Sequence, residues 1–136
     1  MLKLSKMTDY AVIILAEMVG VEGARVNASD LAGMTRLPEP TVSKVLKTLA
    51  RHDLISSIRG ANGGYILSKN ADDIDMASVI TALDGPIELT ACAGDNVDAC
   101  ERADHCNIRG KWNPVNTAMQ NALKNVSLAE MIGAYS

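Results

Sequence analysis

Between Pro40 and Lys69 the spacing of apolar residues changes period, and that change limits what the chain can build. In PTVSKVLKTLARHDLISSIRGANGGYILSK, Val42, Val45, Leu46, Leu49 and Ala50 fall at i, i+3, i+4, i+7 and i+8, a stripe along one side of a helix. Thr41, Ser43, Lys44, Lys47, Thr48 and Arg51 are left on the opposite, basic side. Past His52-Asp53 the period becomes that of strands, over residues 55–59 and 65–68. These flank Ala61-Asn62-Gly63-Gly64, where Asn-Gly is expected to supply the positive φ of a tight hairpin turn. A helix with a basic polar face followed at once by a glycine-tipped hairpin predicts a winged helix-turn-helix, the helix suited to a major groove and the hairpin to the backbone or minor groove. An ordinary helix and hairpin with solvated charges is the plainer reading, and what lies upstream counts against it.

Upstream, Thr8 is placed to cap a helix over residues 9–19 whose Ala11, Ile14, Leu15 and Met18 share one face and Val12, Ala16 and Val19 another. Two apolar faces predict burial from two sides. Ser29 is placed to cap a helix over 30–34, and Arg25-Val26-Asn27 to form a short strand beside the wing. Ala32 followed by Val42 and Val45 has the small-then-apolar spacing of a helix-turn-helix. Arg36 stands where many such turns carry glycine; a positive φ would cost it roughly 1 kcal/mol, so an altered turn is expected. Pro40 suits the first turn of the next helix, where its missing N–H would be unpaired anyway.

At 136 residues and 48% apolar composition the chain fills one compact domain, with an aliphatic, Met-rich core because Phe is absent. Few aromatics argue against a base-stacking platform for single strands. The net charge of −3 hides a division: residues 1–69 carry nine Lys/Arg against six Asp/Glu, residues 70–136 four against ten. A duplex-binding half joined to an acidic half follows. The longest apolar run is far below the roughly 20 residues a membrane span requires, so cytoplasmic residence is expected.

Downstream, Asp75 is placed to cap a helix over 76–83, which Gly85-Pro86 stops. Residues 88–105 lose periodicity and read as a loop. Ile108, Trp112, Val115, Met119, Ala122 and Val126 then recur at helical spacing, the seam of a long helix that predicts a homodimer; folding back on its own domain is the plainer alternative. Pro114 predicts either a kink or a restart with Asn113 as cap. Ser127 and Glu130 form a capping box for a short final helix. The division expected is a DNA-binding unit over 1–85, a cysteine loop over 86–106 and a dimerisation segment over 107–136.

Three cysteines, an odd number, make a disulfide framework improbable in a reducing compartment. Cys92, Cys100 and Cys106 offer three thiolates that could converge on one centre. Zinc with His105 as fourth ligand is one possibility, although structural zinc sites usually pair ligands two to four residues apart and neither interval here is that short. An iron–sulfur cluster with a non-thiolate fourth position suits the spacing better. A catalytic cysteine is the weakest reading, since His105 is the only neighbouring base.

In SKMTDYAVIIL, LPEPTVSKVLKTLARHDLI, RGANGGYILSK, DMASVITALDGPIELTAC, the spaced cysteines and VSLAEMI, the chain resembles the bacterial iron–sulfur-sensing winged-helix regulators that include IscR, NsrR and RirA. Within them it looks most like the proteobacterial regulators of the SUF cluster-assembly operon. The resemblance spans essentially the whole chain. It implies a homodimeric transcription factor, usually a repressor, that binds a double-stranded operator and senses cluster supply or oxidative stress. Its 2Fe-2S or 4Fe-4S cluster would be held by Cys92, Cys100 and Cys106. Where the IscR pattern has a His three residues after the last cysteine, this chain has Arg109. The nitric-oxide-sensing branch uses an Asp from the partner's first helix, in a motif matched by Met7-Thr8-Asp9-Tyr10, so the partner subunit's Asp9 is the fourth ligand implied. His105, solvent or an open position are its alternatives, and a first-turn residue favoured by the helix dipole is the plainer reading of Asp9.

For DNA, Thr41, Ser43 and Lys44 are expected at base edges, Lys47 and Arg51 at phosphates, and Arg59 beside Gly60 in a narrow minor groove. A cluster-free regulator using its cysteines as a thiol switch is the alternative. An iron–sulfur electron carrier or enzyme is a third reading, weak because no small-molecule substrate site is legible and the wing would have no purpose.

Overall fold

Among the residues that the computed structural model describes, 3–21, 23–89 and 110–133, the chain runs α1 (Lys6–Gly20), α2 (Ala28–Thr35), α3 (Glu39–Arg51), β1 (Ile55–Ile58), β2 (Gly64–Leu67), α4 (Met76–Asp84), α5 (Asn113–Lys124) and α6 (Leu128–Gly133). This is the helix-turn-helix with a two-stranded wing that the change of period predicts. One core serves it: Ala11, Ile14, Leu15 and Met18 of α1, Leu31 of α2, and Val42, Val45, Leu46 and Leu49 of α3 meet Leu54, Ile55, Ile74, Val79 and Leu128, all buried. Burying each Leu or Ile side chain contributes about 1.5–3 kcal/mol. Of the second apolar face of α1, Val12 and Val19 pack partly against the same core and Ala16 is half-buried, so α1 is fully covered on one side and only in part on the other.

Caps differ from the sequence expectation where two hydroxyls or amides compete. Ser5, not Thr8, caps α1: its Oγ accepts the Thr8 N–H at 3.2 Å. Thr8 is fully buried and donates its hydroxyl to Asp84 Oδ2 at 2.8 Å, a partner 76 residues away that no local pattern reveals. Asn27, not Ser29, caps α2; its Oδ1 accepts the Asp30 N–H at 2.7 Å while Asp30 Oδ2 accepts the Asn27 N–H at 3.3 Å. That reciprocal box satisfies two end donors where Ser29 could satisfy one. Asp75 caps α4 as expected, accepting the Ser78 N–H at 2.8 Å.

The α2–α3 turn corrects a second expectation. Arg36 does adopt the left-handed region, φ 61 and ψ 27, with its N–H on Ala32 O at 2.9 Å, so the turn keeps its glycine-like shape and Arg36 bears the strain, roughly 1 kcal/mol. The wing is also shorter than its apolar pattern. Its register sets Ile55 opposite Leu67 and Ile58 opposite Gly64, leaving Arg59 and Ser68 outside the ladder. At the tip Gly60, φ 116, takes the positive φ expected of Asn62-Gly63, and the Gly63 N–H closes the turn onto Gly60 O at 2.9 Å. The Arg25–Asn27 stretch pairs with the wing through one residue: Val26 and Tyr65 exchange backbone bonds of 3.1 and 2.8 Å.

Pro114 resolves as a restart. Asn113 is the first residue of α5 instead of its cap, and Trp112 occupies the cap position without a side-chain bond. Of the expected seam, Ile108 lies outside the described residues, Trp112 and Val115 are 40% and 49% exposed, Ala122 is exposed, and Val126 turns onto the core. Ser127 Oγ accepts the Glu130 N–H at 3.1 Å, the cap half of the expected box. The Leu128 N–H on Ile74 O at 2.7 Å and the Met76 N–H on Val126 O at 2.9 Å then bring α6 to the start of α4.

Candidate nucleic-acid interface and the cysteine-bearing segment

Because Val42, Val45, Leu46 and Leu49 are all fully buried, the orientation of α3 is fixed and its other side faces out. Lys44, Lys47 and Arg51 are exposed there, and Thr41 and Ser43 half-buried. Thr48, on the same side, is engaged with its own helix, its hydroxyl donating to Lys44 O at 3.0 Å. Arg59 and Gly60 are exposed at the wing. The structure thus presents a cationic helix face and a cationic wing, the two elements with which a winged helix meets a duplex.

The sequence placed Arg25-Val26-Asn27 beside the wing, as the Val26–Tyr65 bridge bears out, but gave Arg25 itself no role. Arg25 reaches across from the α1–α2 connector and donates Nη1 to Asn62 O at the tip, 2.9 Å. No local pattern signals this side-chain bond, since the partner is 37 residues away.

Cys92, Cys100, Cys106 and His105 lie outside the described residues, but the two flanks of their segment do not. On one side the buried amide of Asn116 accepts the Leu89 N–H at 2.9 Å and donates to Ile87 O at 2.8 Å, and Gln120 Nε2 donates to the same carbonyl at 3.2 Å. On the other, Gly110 O accepts the Asn113 N–H at 3.1 Å and Trp112 O accepts the Asn116 N–H at 2.9 Å. The two described flanks, 87–89 and 110–112, therefore both meet the first turn of α5. An Asn between Val115 and Met119 was the available sign of such a clasp.

Asp9 is exposed on the first turn of α1, and among the described residues no hydrogen bond or ion pair engages its side chain. Its helix is tied to the run-up to the cysteine segment by Asp84, at the end of α4, whose Oδ2 accepts from both the Ser5 N–H and the Thr8 hydroxyl. Burial pushes the Asp84 carboxyl up, but the donors at Ser5 and Thr8 together outweigh it and hold the pKa below the usual aspartate value. Among the described residues no group of His, Cys, Asp and Glu is assembled for a metal, and no helix is long and apolar enough to cross a membrane.

The fold and its outward cations define a winged-helix DNA-binding protein. A family model described as Rrf2, iron-dependent transcriptional regulator, matches residues 4–134, and the chain belongs to that family of transcriptional regulators, which are not enzymes. Curated relatives include the HTH-type transcriptional regulators IscR of Sodalis glossinidius, 32% identical over 91 residues (67% of this chain, 54% of that relative), and of Serratia proteamaculans, 28% identical over 133 residues (96% and 79%). The match to the first spans about half of that relative's length. Among solved structures, the global cysteine regulator CymR of B. subtilis superposes with a TM-score of 0.74 at 28% identity, covering 100% of this chain and 99% of that one. IscR of T. potens superposes with a TM-score of 0.70 at 25% identity, covering 99% and 89%. The resemblance to IscR-type regulators carried by the sequence motifs is thereby borne out.

Proposed function

We propose that the protein is an IscR-like homodimeric regulator, acting as a repressor of iron–sulfur assembly genes and sensing cluster status through Cys92, Cys100 and Cys106. The observation that carries this reading is the clasp at Asn116: the run-up to the segment holding every cysteine of the chain is bonded to the first turn of α5, the helix that follows that segment. The donor set suits an iron–sulfur cluster, with three thiols in that segment and, in the partner subunit's Asp9, a carboxylate that no described residue engages. Such a cluster, when bound, supplies a centre sensitive to oxidants and iron supply. On this reading residues 1–85 bind the operator, 86–106 hold the cluster and 107–136 pair the subunits, using the apolar surface left open at Trp112 and Val115. Thr41, Ser43 and Lys44 face base edges, Lys47 and Arg51 meet phosphates, and Arg59 beside Gly60 enters the minor groove.

Tying α1, α4 and α5 together restricts the spacing of the two recognition helices, which must lie about 34 Å or a multiple apart to read two half-sites. Cluster occupancy then favours operator binding by roughly 1–3 kcal/mol. Anaerobic purification with a visible spectrum and iron and sulfide assays tests the centre: a brown protein with charge-transfer bands is expected, and a colourless one without iron refutes it. Affinities of the brown protein, its air-exposed form and Cys92→Ala for one duplex at one salt concentration test the coupling, which equal values would remove. A thiol switch without a cluster is the second reading, favoured by the likeness to the global cysteine regulator CymR. It predicts a colourless protein whose DNA affinity changes with thiol oxidation.

A further inference from the structure

We infer that Arg25 is a DNA-contacting residue, a second cation of the wing that binds a backbone phosphate beside the groove entered by Arg59; this rests on the winged-helix reading above. Three observations converge on it. Val26 is pinned to Tyr65 by two backbone bonds, so Arg25 is delivered to the wing and not left on a free connector. Gly64 makes that docking possible, since a Cβ there would stand 2.8 Å from Val26 O. The guanidinium then takes a fixed place at the tip, Nη1 on Asn62 O at 2.9 Å, and among the described residues that carbonyl is its one recorded partner.

A single bond from an exposed guanidinium to a neutral carbonyl does little more than offset the rotamer freedom the side chain gives up, so stability alone is a weak reason for this placement. The remaining donors of the fork suit a bidentate anion. Charge in the groove between the tip and α2 points the same way. Among the described residues its lining includes Arg25, Asn27, Asp30 and Asn62, with Asp30 the only acid and Arg25 the only base. Asp30 is needed for the box that starts α2. Without Arg25 the groove would present a net negative charge beside a wing meant for a polyanion.

The test is the salt dependence of affinity for a duplex selected from a random library by the parent protein. Arg25→Gln keeps an amide donor but loses the charge; it should bind several-fold more weakly and flatten the slope of log K against log salt by about one unit. Arg25→Lys should retain the slope. Circular dichroism melts check that both variants fold, and Arg59→Ala and Lys47→Ala run alongside. A parent slope for Arg25→Gln, with flattened slopes for the other two, overturns this inference and leaves the DNA-binding face intact. Parent slopes for all three overturn that face and this inference with it.

Discussion

At the scale of single residues, two glycines of the helix-turn-helix and wing have opposite meanings. Gly64 is where the connector backbone crosses the wing, and an added Cβ would meet the carbonyl of Val26, an atom that cannot swing away like a side-chain end. Gly64→Ala should therefore cost about 1–3 kcal/mol, as overpacking does, and loosen the Val26–Tyr65 pairing. Gly33, inside α2, has nothing within 4 Å of the same position. Gly33→Ala should stabilise by about 0.5–1 kcal/mol, because the helix gains a residue with less backbone freedom to lose. Urea midpoints of both variants check the pair, and a shift in the same direction for both would contradict the geometry.

At the scale of elements, α5 is held by a polar clasp as much as by its apolar side. Asn116 is 2% exposed and serves a donor and an acceptor of the 87–89 stretch. Asn116→Ala would leave the Leu89 N–H without its partner, at a cost of about 1–3 kcal/mol in urea unfolding. On the cluster reading the same variant should lose its brown colour faster in air, and unchanged decay would separate the clasp from the centre. On the proposed reading, helix α3 binds DNA through its outward charges. Lys47→Ala should weaken binding to selected and unselected duplexes alike and lower the salt slope by about one unit; an unchanged slope would misplace the helix.

For the whole molecule, Asp84 links the first turn of α1 to the end of α4. Its folded pKa is depressed, so its contribution to stability is complete above the usual aspartate range and lost as pH falls through the lower folded value. Asp84→Asn should lower the urea midpoint at neutral pH and match the parent in strong acid. Midpoints of the two proteins across that range provide the measurement, and a constant difference at every pH would place the effect in packing instead of charge. The residue is exposed, so the difference should be modest.

Much of the fold was legible because its signals are local. The stripe from Val42 to Leu49, the strand period after Asp53, Asp75 as a cap and Ser127 before α6 each depend on residues within a few positions. The outward charges of α3 follow from the same stripe, since burying one side of a helix exposes the other. Competing local signals were settled elsewhere. Ser5 displaced Thr8 as a cap because Thr8 had a distant carboxylate to bond, and Arg36 accepted a left-handed φ because the packing of α2 on α3 holds the turn in place. The Arg25–Asn62, Asn116–Ile87 and Ser5–Asp84 contacts join residues 37, 29 and 79 positions apart. No period or cap motif encodes such pairs. The sequence by itself determined which segments become helix or hairpin and which faces turn inward; only the tertiary structure decided which polar groups meet, because that depends on where the packed core sets separate elements side by side.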